Sequence, residues 1–254
     1  MYTIDFTGKV VLVLGGGTGI GSAIARGFAD AGASLAVSYH GSKAGAEEVA
    51  EFARAAGRRC LPIAADSRSV AAVESAVDQT VGEYGRIDVL VYNAGLTEPR
   101  PLFEMTEEEW DRTLDINLKG MFFCARRAAT YMREQPARGT MVLLSSVHSI
   151  QAFPDHPHYA SSKGGINMLT RSLGRQLAPL GIRVNAIAPG SIYVEKFHGV
   201  YDPAEAGRAI PIGRVGRPEE MADIAVFLAS DRASYITGHV LFADGGMTLP
   251  LHLG

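Results

Sequence analysis

The sequence predicts an α/β chain: a doubly wound, seven-stranded parallel sheet with helices on both faces, in a single domain across residues 1–254. Three observations carry this. Short apolar runs rich in Val, Leu and Ile alternate with longer amphipathic ones. The alternation continues along the chain without a linker, repeat or low-complexity stretch. The first apolar run passes directly into a glycine-rich turn. Strands alternating with helices of this length imply right-handed βαβ units and a parallel sheet covered on both sides.

In order, residues 9–14 read as a buried strand and 22–31 as a helix stopped by Gly32. A second strand over 34–39 leads to a helix over 44–56, again stopped by glycine, Gly57. A third strand, 59–64, precedes a helix over 70–84, and a fourth, 87–92, lies between Gly85 and Gly95. Thr106 is a good N-cap and Glu109 completes a capping box, so a long helix is predicted from 106 to about 134. A fifth strand over 140–145 is followed by a helix over 158–179 and a sixth strand over 183–187. Pro218, Glu219 and Glu220 suit a helix start, where carboxylates complement the dipole; that helix reaches about 229, and 239–243 is the seventh strand. The least regular region, 191–209, falls after the sixth strand, where a substrate lid is expected.

Composition narrows the function classes. Hydrophobic residues make up 47% of the chain, enough for a substantial core, yet no apolar stretch is long enough to span a membrane. The N-terminus lacks a basic region followed by an apolar run, so no secretory leader is expected. A net charge of −3 with interspersed signs gives no nucleic-acid footprint. Cys60 and Cys124 lie far apart in apolar settings and read as free thiols, which suits a cytoplasmic location. His148, His156 and His158 cluster, but without ligand-spaced partners beyond Asp155 no metal site is expected.

The first strand feeds Gly15-Gly16-Gly17-Thr18-Gly19-Ile20-Gly21 and then a helix. Unpaired N–H groups and the helix dipole make such a junction an anion site, and glycines allow a phosphate to approach. This is the Rossmann-type arrangement for a dinucleotide. The second strand ends in Tyr39-His40-Gly41-Ser42-Lys43, with no carboxylate between Asp30 and Glu47 to hold a ribose 2′-hydroxyl. His40, Ser42 and Lys43 suit a 2′-phosphate, so NADP(H) is favoured and NAD(H) allowed; the alternative is that Lys43 is only a solvated residue of the first helical turn. Asp66 follows the third strand at a position for the adenine amino group. Asn93, Ala94 and Gly95 follow the fourth, where small residues let backbone border the cofactor.

Tyr159 and Lys163 stand four apart on a predicted helix and share a face, and Ser146 lies thirteen residues upstream. An ammonium beside a phenol favours the phenolate and lowers its pKa from about 10, which lets the phenol exchange a proton with an alcohol or carbonyl oxygen. Ser146 offers that oxygen a second hydrogen bond. A lone Tyr-x-x-x-Lys is a common surface pairing; its company here gives it weight.

Taken together, the glycine turn, Asp66, Asn93-Ala94-Gly95, Asn117, Ser146, Tyr159-x-x-x-Lys163, Pro189-Gly190 and Asp244-Gly245-Gly246 resemble, in order and spacing, the short-chain dehydrogenases/reductases over essentially the whole chain. The resemblance implies an NAD(P)-dependent oxidoreductase with Asn117, Ser146, Tyr159 and Lys163 as its catalytic set. Lys163 would also hold the nicotinamide ribose, Asn117 would shape the long helix, and Pro189, Gly190 and Ile192 would border the carboxamide. Three positions depart from the family pattern: Leu14 and Val194 replace threonines, and Tyr92 replaces an asparagine. Several segments are similar to the bacterial glucose 1-dehydrogenases, which implies a sugar or polyol substrate, although Thr97 and Ser149 stand where those enzymes carry glutamates. The alternatives are a ketoreductase of the 3-oxoacyl-carrier-protein type, with Arg100, Arg126 and Arg127 as candidate partner contacts, and a non-catalytic dinucleotide sensor. The family also implies a homotetramer, for which the apolar stretch from Met247 to Leu253 is a candidate contact.

Overall fold

The computed structural model describes residues 4–195 and 198–249. Its strands are β1 (Val10–Leu14), β2 (Ser34–Tyr39), β3 (Cys60–Ala64), β4 (Val89–Tyr92), β5 (Thr140–Leu144), β6 (Arg183–Pro189) and β7 (Val240–Ala243). They form one sheet in the order β3-β2-β1-β4-β5-β6-β7, with every neighbouring pair parallel. The helices are α1 (Gly19–Asp30), α2 (Lys43–Ala55), α3 (Val70–Tyr84), α4 (Glu107–Leu114), α5 (Gly120–Met132), α6 (Pro157–Leu177), α7 (Pro203–Gly207) and α8 (Pro218–Ala229).

The strand pleat splits the core in two. Along β1, Val11 and Val13 face one layer with Ile24 and Phe28 of α1, Val49 of α2 and Leu228 of α8. Leu12 and Leu14 face the other, with Val73 and Val77 of α3, Met121 and Cys124 of α5 and Ile166 of α6. That alternation is the two-residue period of a strand buried on both faces. Connections run in opposite senses either side of β1 and β4, so a crevice opens at their carboxyl ends, where doubly wound sheets bind ligands.

The helix expected over 106–134 is interrupted. Thr106 does cap α4, with Glu109 returning the bond in a capping box. Residues Asp115–Lys119 then form a π turn before α5, in which the Gly120 N–H donates to the Asp115 carbonyl five residues back. The Tyr92 hydroxyl, from the neighbouring strand, donates to the Ile116 carbonyl at 2.9 Å. Tyr92, the departure noted at the end of β4, thus braces the turn on which Asn117 sits. Gly120 fits there for lack of a side chain: a Cβ would lie 2.3 Å from the Ser67 carbonyl oxygen and 2.7 Å from the Tyr92 hydroxyl. Gly120→Ala is expected to destabilise the fold by about 1–3 kcal/mol, the range for overpacking. Denaturant unfolding measures this, and an unchanged midpoint would contradict it.

The region after β6 contains α7, which the sequence left irregular; Asp202 caps it by accepting from Ala204 N–H at 2.8 Å, and Pro203 opens it. Lys196 and Phe197 of the expected lid lie outside the described residues, as do positions 250–253 of the expected C-terminal contact.

Candidate active site

The glycine turn is held from three sides. Gly15 N–H donates to Ser38 Oγ at 2.9 Å, Gly16 N–H to the Ser38 carbonyl at 3.0 Å, and Asn93 Nδ2 donates to the Gly15 carbonyl at 2.8 Å. These bonds tie the turn without a side-chain hydroxyl at Leu14. Gly15 has φ +71°, and a Cβ there would sit 2.7 Å from Ala94 Cα. A Cβ on Gly21 would lie 2.1 Å from the Gly15 carbonyl oxygen. The first turn of α1 contains no acidic residue, and its N-cap Thr18 makes no capping bond with its side chain. A glycine cradle at an uncapped helix N-terminus fits the pyrophosphate of a dinucleotide.

At the carboxyl end of β2, Tyr39 is half-buried and His40 exposed, while Ser42 precedes α2 without capping it. Lys43 pairs with Glu47 at 3.4 Å, so its charge is partly answered within the helix. Asp66 accepts two hydrogen bonds from Arg68 Nε and one from its Nη2, at 2.7–3.1 Å, and one from the Arg68 backbone N–H. Those bonds, with the nearby charges of Arg68 and His40, hold the Asp66 carboxyl below the usual carboxylate range.

Ser146 leaves β5 as the cap of a 3-10 turn, Val147–Ser149, and its Oγ accepts from His148 N–H at 3.2 Å. Tyr159 and Lys163 project from the first turns of α6. Lys163 Nζ lies 5.4 Å from the centre of the Tyr159 ring and donates to the Leu144 carbonyl at 2.8 Å. Asn117, fully buried, accepts from Leu96 N–H at 2.7 Å and donates to the Leu96 carbonyl and to Ser162 Oγ, each at 3.0 Å. The π turn allows this amide to face the loop after β4 and the body of α6 at once. Ser162 and the Ser145–Asn167 bond of 2.6 Å, which lock α6 to these neighbours, went unnoticed in the sequence. Asn167 stands one helical turn beyond Lys163, the spacing that could have drawn attention to it.

The electrostatics correct one expectation. Lys163 does not pull the Tyr159 pKa below its ordinary value in this structure. Burial raises the Tyr159 phenol, only partly offset by its hydrogen bond with Ser146. Burial also lowers the Lys163 ammonium to about 7. The same desolvation weakens the cation that was to stabilise the phenolate. His148, lined up beside them, is held at about 4 by burial, with His156 and Lys163 adding repulsion.

One cleft of about 730 Å³ joins these parts. It is lined by Thr18, Gly19 and Ile20 of the glycine turn, by Asn93 and Gly95, by Ser146, Tyr159 and Lys163, and by Pro189, Gly190 and Ile192. Gly15, Gly21, Ala94, Tyr39, His40, Ser42 and Asp66 do not line it, and Asn117 lies behind Gly95, on which a Cβ would be 3.5 Å from Asn117 Oδ1. The outer wall, Leu96, Pro99, Val147, Phe153, Tyr201 and Met247, had not been singled out from sequence apart from segment likeness. Among the described residues no group of His, Cys, Asp and Glu side chains is arranged to hold a metal ion.

A family model described as "Enoyl-(Acyl carrier protein) reductase" matches residues 15–248. The chain is 41% identical to 3beta-hydroxysteroid dehydrogenase 1 of Eggerthella lenta, with 96% of this chain and 95% of that protein covered. It is 39% identical to glucose 1-dehydrogenase 2 of Bacillus subtilis, covering 96% of each. It is also 39% identical to the 3-oxoacyl-[acyl-carrier-protein] reductase of Staphylococcus aureus, over 94% of this chain and 98% of that one. A solved short-chain type dehydrogenase/reductase from Mycobacterium marinum superposes with a TM-score of 0.88 at 36% identity, covering 97% and 98% of the two chains. The chain belongs to the short-chain dehydrogenase/reductase family. It is an oxidoreductase of CH–OH and C=O groups that uses a nicotinamide dinucleotide.

Proposed function

We propose that this cleft carries out reversible hydride transfer between NADP(H), in preference to NAD(H), and a small secondary alcohol or ketone. The observation that carries the reading is the convergence of Ser146, Tyr159 and Lys163 on the cleft whose far end is the glycine turn. A bound nicotinamide supplies or accepts the hydride. The chain supplies the proton route. In reduction the Tyr159 phenol gives its proton to the substrate oxygen while Ser146 Oγ steadies the developing charge. In oxidation the same phenol oxygen takes the hydroxyl proton. Lys163, fixed to Leu144, stands beside the ring as the source of positive potential and the hold on the cofactor ribose. Asn117 positions α6 against the loop after β4. The preference for NADP(H) is supported by exposed His40 and by the missing carboxylate after β2.

The sugar or polyol reading is supported by likeness to glucose 1-dehydrogenase 2. The outer wall supports a less polar alcohol or ketone: it is built from apolar and aromatic side chains, and no carboxylate lines the cleft among the described residues. Thr97, His148, His156 and Ser191 give the cleft some polar side chains, fewer than a polyhydroxylated ring would need to pair all its hydroxyls, so a less polar class is preferred. Docking of a carrier protein on Arg100, Arg126 and Arg127 is disfavoured because each is already paired, with Glu109, Glu74 and Asp78. A homotetramer is part of the proposal, supported by the exposed Phe122 of α5 and Met168 of α6. So is a lid over 191–209, which brings Tyr201 and Ala206 to the cleft. A cytoplasmic location is supported by the unpaired thiols Cys60 and Cys124. No helix among the described residues is long and apolar enough to cross a membrane.

The direct test is nicotinamide fluorescence with NADPH and NADH, on mixing with sugars, polyols, secondary alcohols and ketones. Expected are binding of both dinucleotides, tighter for NADPH, and turnover of secondary alcohols and ketones ahead of sugars. Binding without turnover of any of these would favour a dinucleotide sensor instead.

A further inference from the structure

We propose that His148 is a specificity-determining residue, donating from Nε2 to a second oxygen on the carbon next to the reacting one. The substrates are then neutral vicinal hydroxy-ketones, diketones or diols with an apolar remainder. This rests on the oxidoreductase reading above. His148 hangs from the same 3-10 turn as Ser146, to whose Oγ its backbone N–H donates. Its ring is stacked on Phe153, with centroids 4.1 Å apart, and meets the rings of Tyr159 and His156 edgewise at 5.1 and 5.2 Å. The imidazole is therefore clamped between Phe153 and the ring of the residue that exchanges the proton.

Its two nitrogens differ. Nδ1 is sealed from solvent and has no hydrogen-bond partner among the described residues. A proton there would be a buried donor without an acceptor, the rarer defect in folded proteins, so the proton belongs on Nε2. His148 lines the cleft, and with Nδ1 sealed it is Nε2 that can serve a ligand. Burial, His156 and Lys163 keep the ring neutral. It is a donor without a charge, suited to a hydroxyl or carbonyl oxygen rather than a carboxylate. Besides His148, His156 and Lys163, which donates to the Leu144 carbonyl, no basic side chain and no carboxylate lines the cleft among the described residues, so little is placed there to pair with an ionic substrate. Leu96, Pro99, Val147 and Met247 supply the surface for the apolar remainder. In reduction, hydride reaches the carbonyl carbon and the Tyr159 proton reaches its oxygen; His148 keeps its own proton throughout.

The test compares kcat/KM with NADPH for 2-hydroxycyclohexanone and cyclohexanone, in wild type, His148→Phe and His148→Gln. One well-placed hydrogen bond corresponds to roughly a tenfold preference for the hydroxylated ketone in wild type. In His148→Phe, which keeps a ring against Phe153 but no donor, the ratio is expected to fall to near one. In His148→Gln, whose amide offers an N–H at similar reach, much of it should return. A wild-type ratio near one, or a ratio unaltered in His148→Phe, overturns the inference while turnover of cyclohexanone upholds the general reaction. Failure of wild type to reduce either ketone, or any compound of the wider panel, removes the reaction and this inference with it.

Discussion

Replacing Tyr159 by Phe is expected to lower kcat by about 10³-fold, within the range that a lost general acid costs, while the dinucleotide still binds. The substitution removes a single oxygen. The ring remains in contact with His148, and the glycine turn that holds the pyrophosphate is built from other elements. The loss should fall on kcat rather than on cofactor affinity, because the proton is exchanged only as the carbon–oxygen bond changes order. Ser146→Ala should give a smaller loss, since it removes one hydrogen bond to that oxygen but leaves the proton donor in place. Initial rates at saturating cofactor separate the two. Equal losses in both variants would mean that orientation, not proton exchange, dominates.

Lys163→Met is the second large effect, and it has two readouts. Turnover and dinucleotide affinity should both fall, because the same ammonium is asked to hold the ribose and set the potential beside Tyr159. The variant should also lose wild type's dependence of rate on pH near 7, where burial places the Lys163 pKa; an unaltered profile would contradict a tuning role. Stability gives an independent check. In the folded chain Lys163 titrates at about 7, against 10.5 for an ordinary lysine. Between those values the unfolded chain binds more protons, so this group makes stability rise with pH across that window. Below the window both states are protonated, and the cost of burying the charge is borne in full. Lys163→Met should be more stable than wild type near neutrality, with an advantage that shrinks as pH climbs. A constant difference between the two proteins from pH 6 to 10 would show that Lys163 is not desolvated as described.

Much of this was legible in the sequence because it depends on local rules. Val and Leu runs closed by glycine set β1, β2 and β4 within a residue or two, and the capping box at Thr106 fixed the start of α4. The junction from Leu14 through Gly21 was legible because its close backbone approaches demand glycine: a Cβ on Gly15 would sit 2.7 Å from Ala94 Cα, and one on Gly21 2.1 Å from the Gly15 carbonyl oxygen. The order of Ser146, Tyr159 and Lys163 could be seen, and the cleft does bring them together. What could not be seen depends on contacts distant in the chain. The π turn at Asn117 answers to Leu96, Ser162 and Tyr92, none of them helical neighbours. The direction of the Tyr159 shift was misjudged because spacing reveals that a lysine is near, not that burial has weakened its charge. The pairing of Arg100, Arg126 and Arg127 likewise lies across elements, so a basic patch in the sequence is a set of ion pairs in the fold.

In the proposed reaction the Tyr159 hydroxyl passes the proton while the glycine cradle holds the nucleotide. Single-turnover mixing of NADPH-loaded protein with a ketone, followed by nicotinamide fluorescence in wild type and Tyr159→Phe, addresses it most directly. Expected are the same fluorescence enhancement on loading both proteins, then a rapid decay in wild type that is slowed about 10³-fold in the variant. Decay at equal rates would place the proton donor elsewhere.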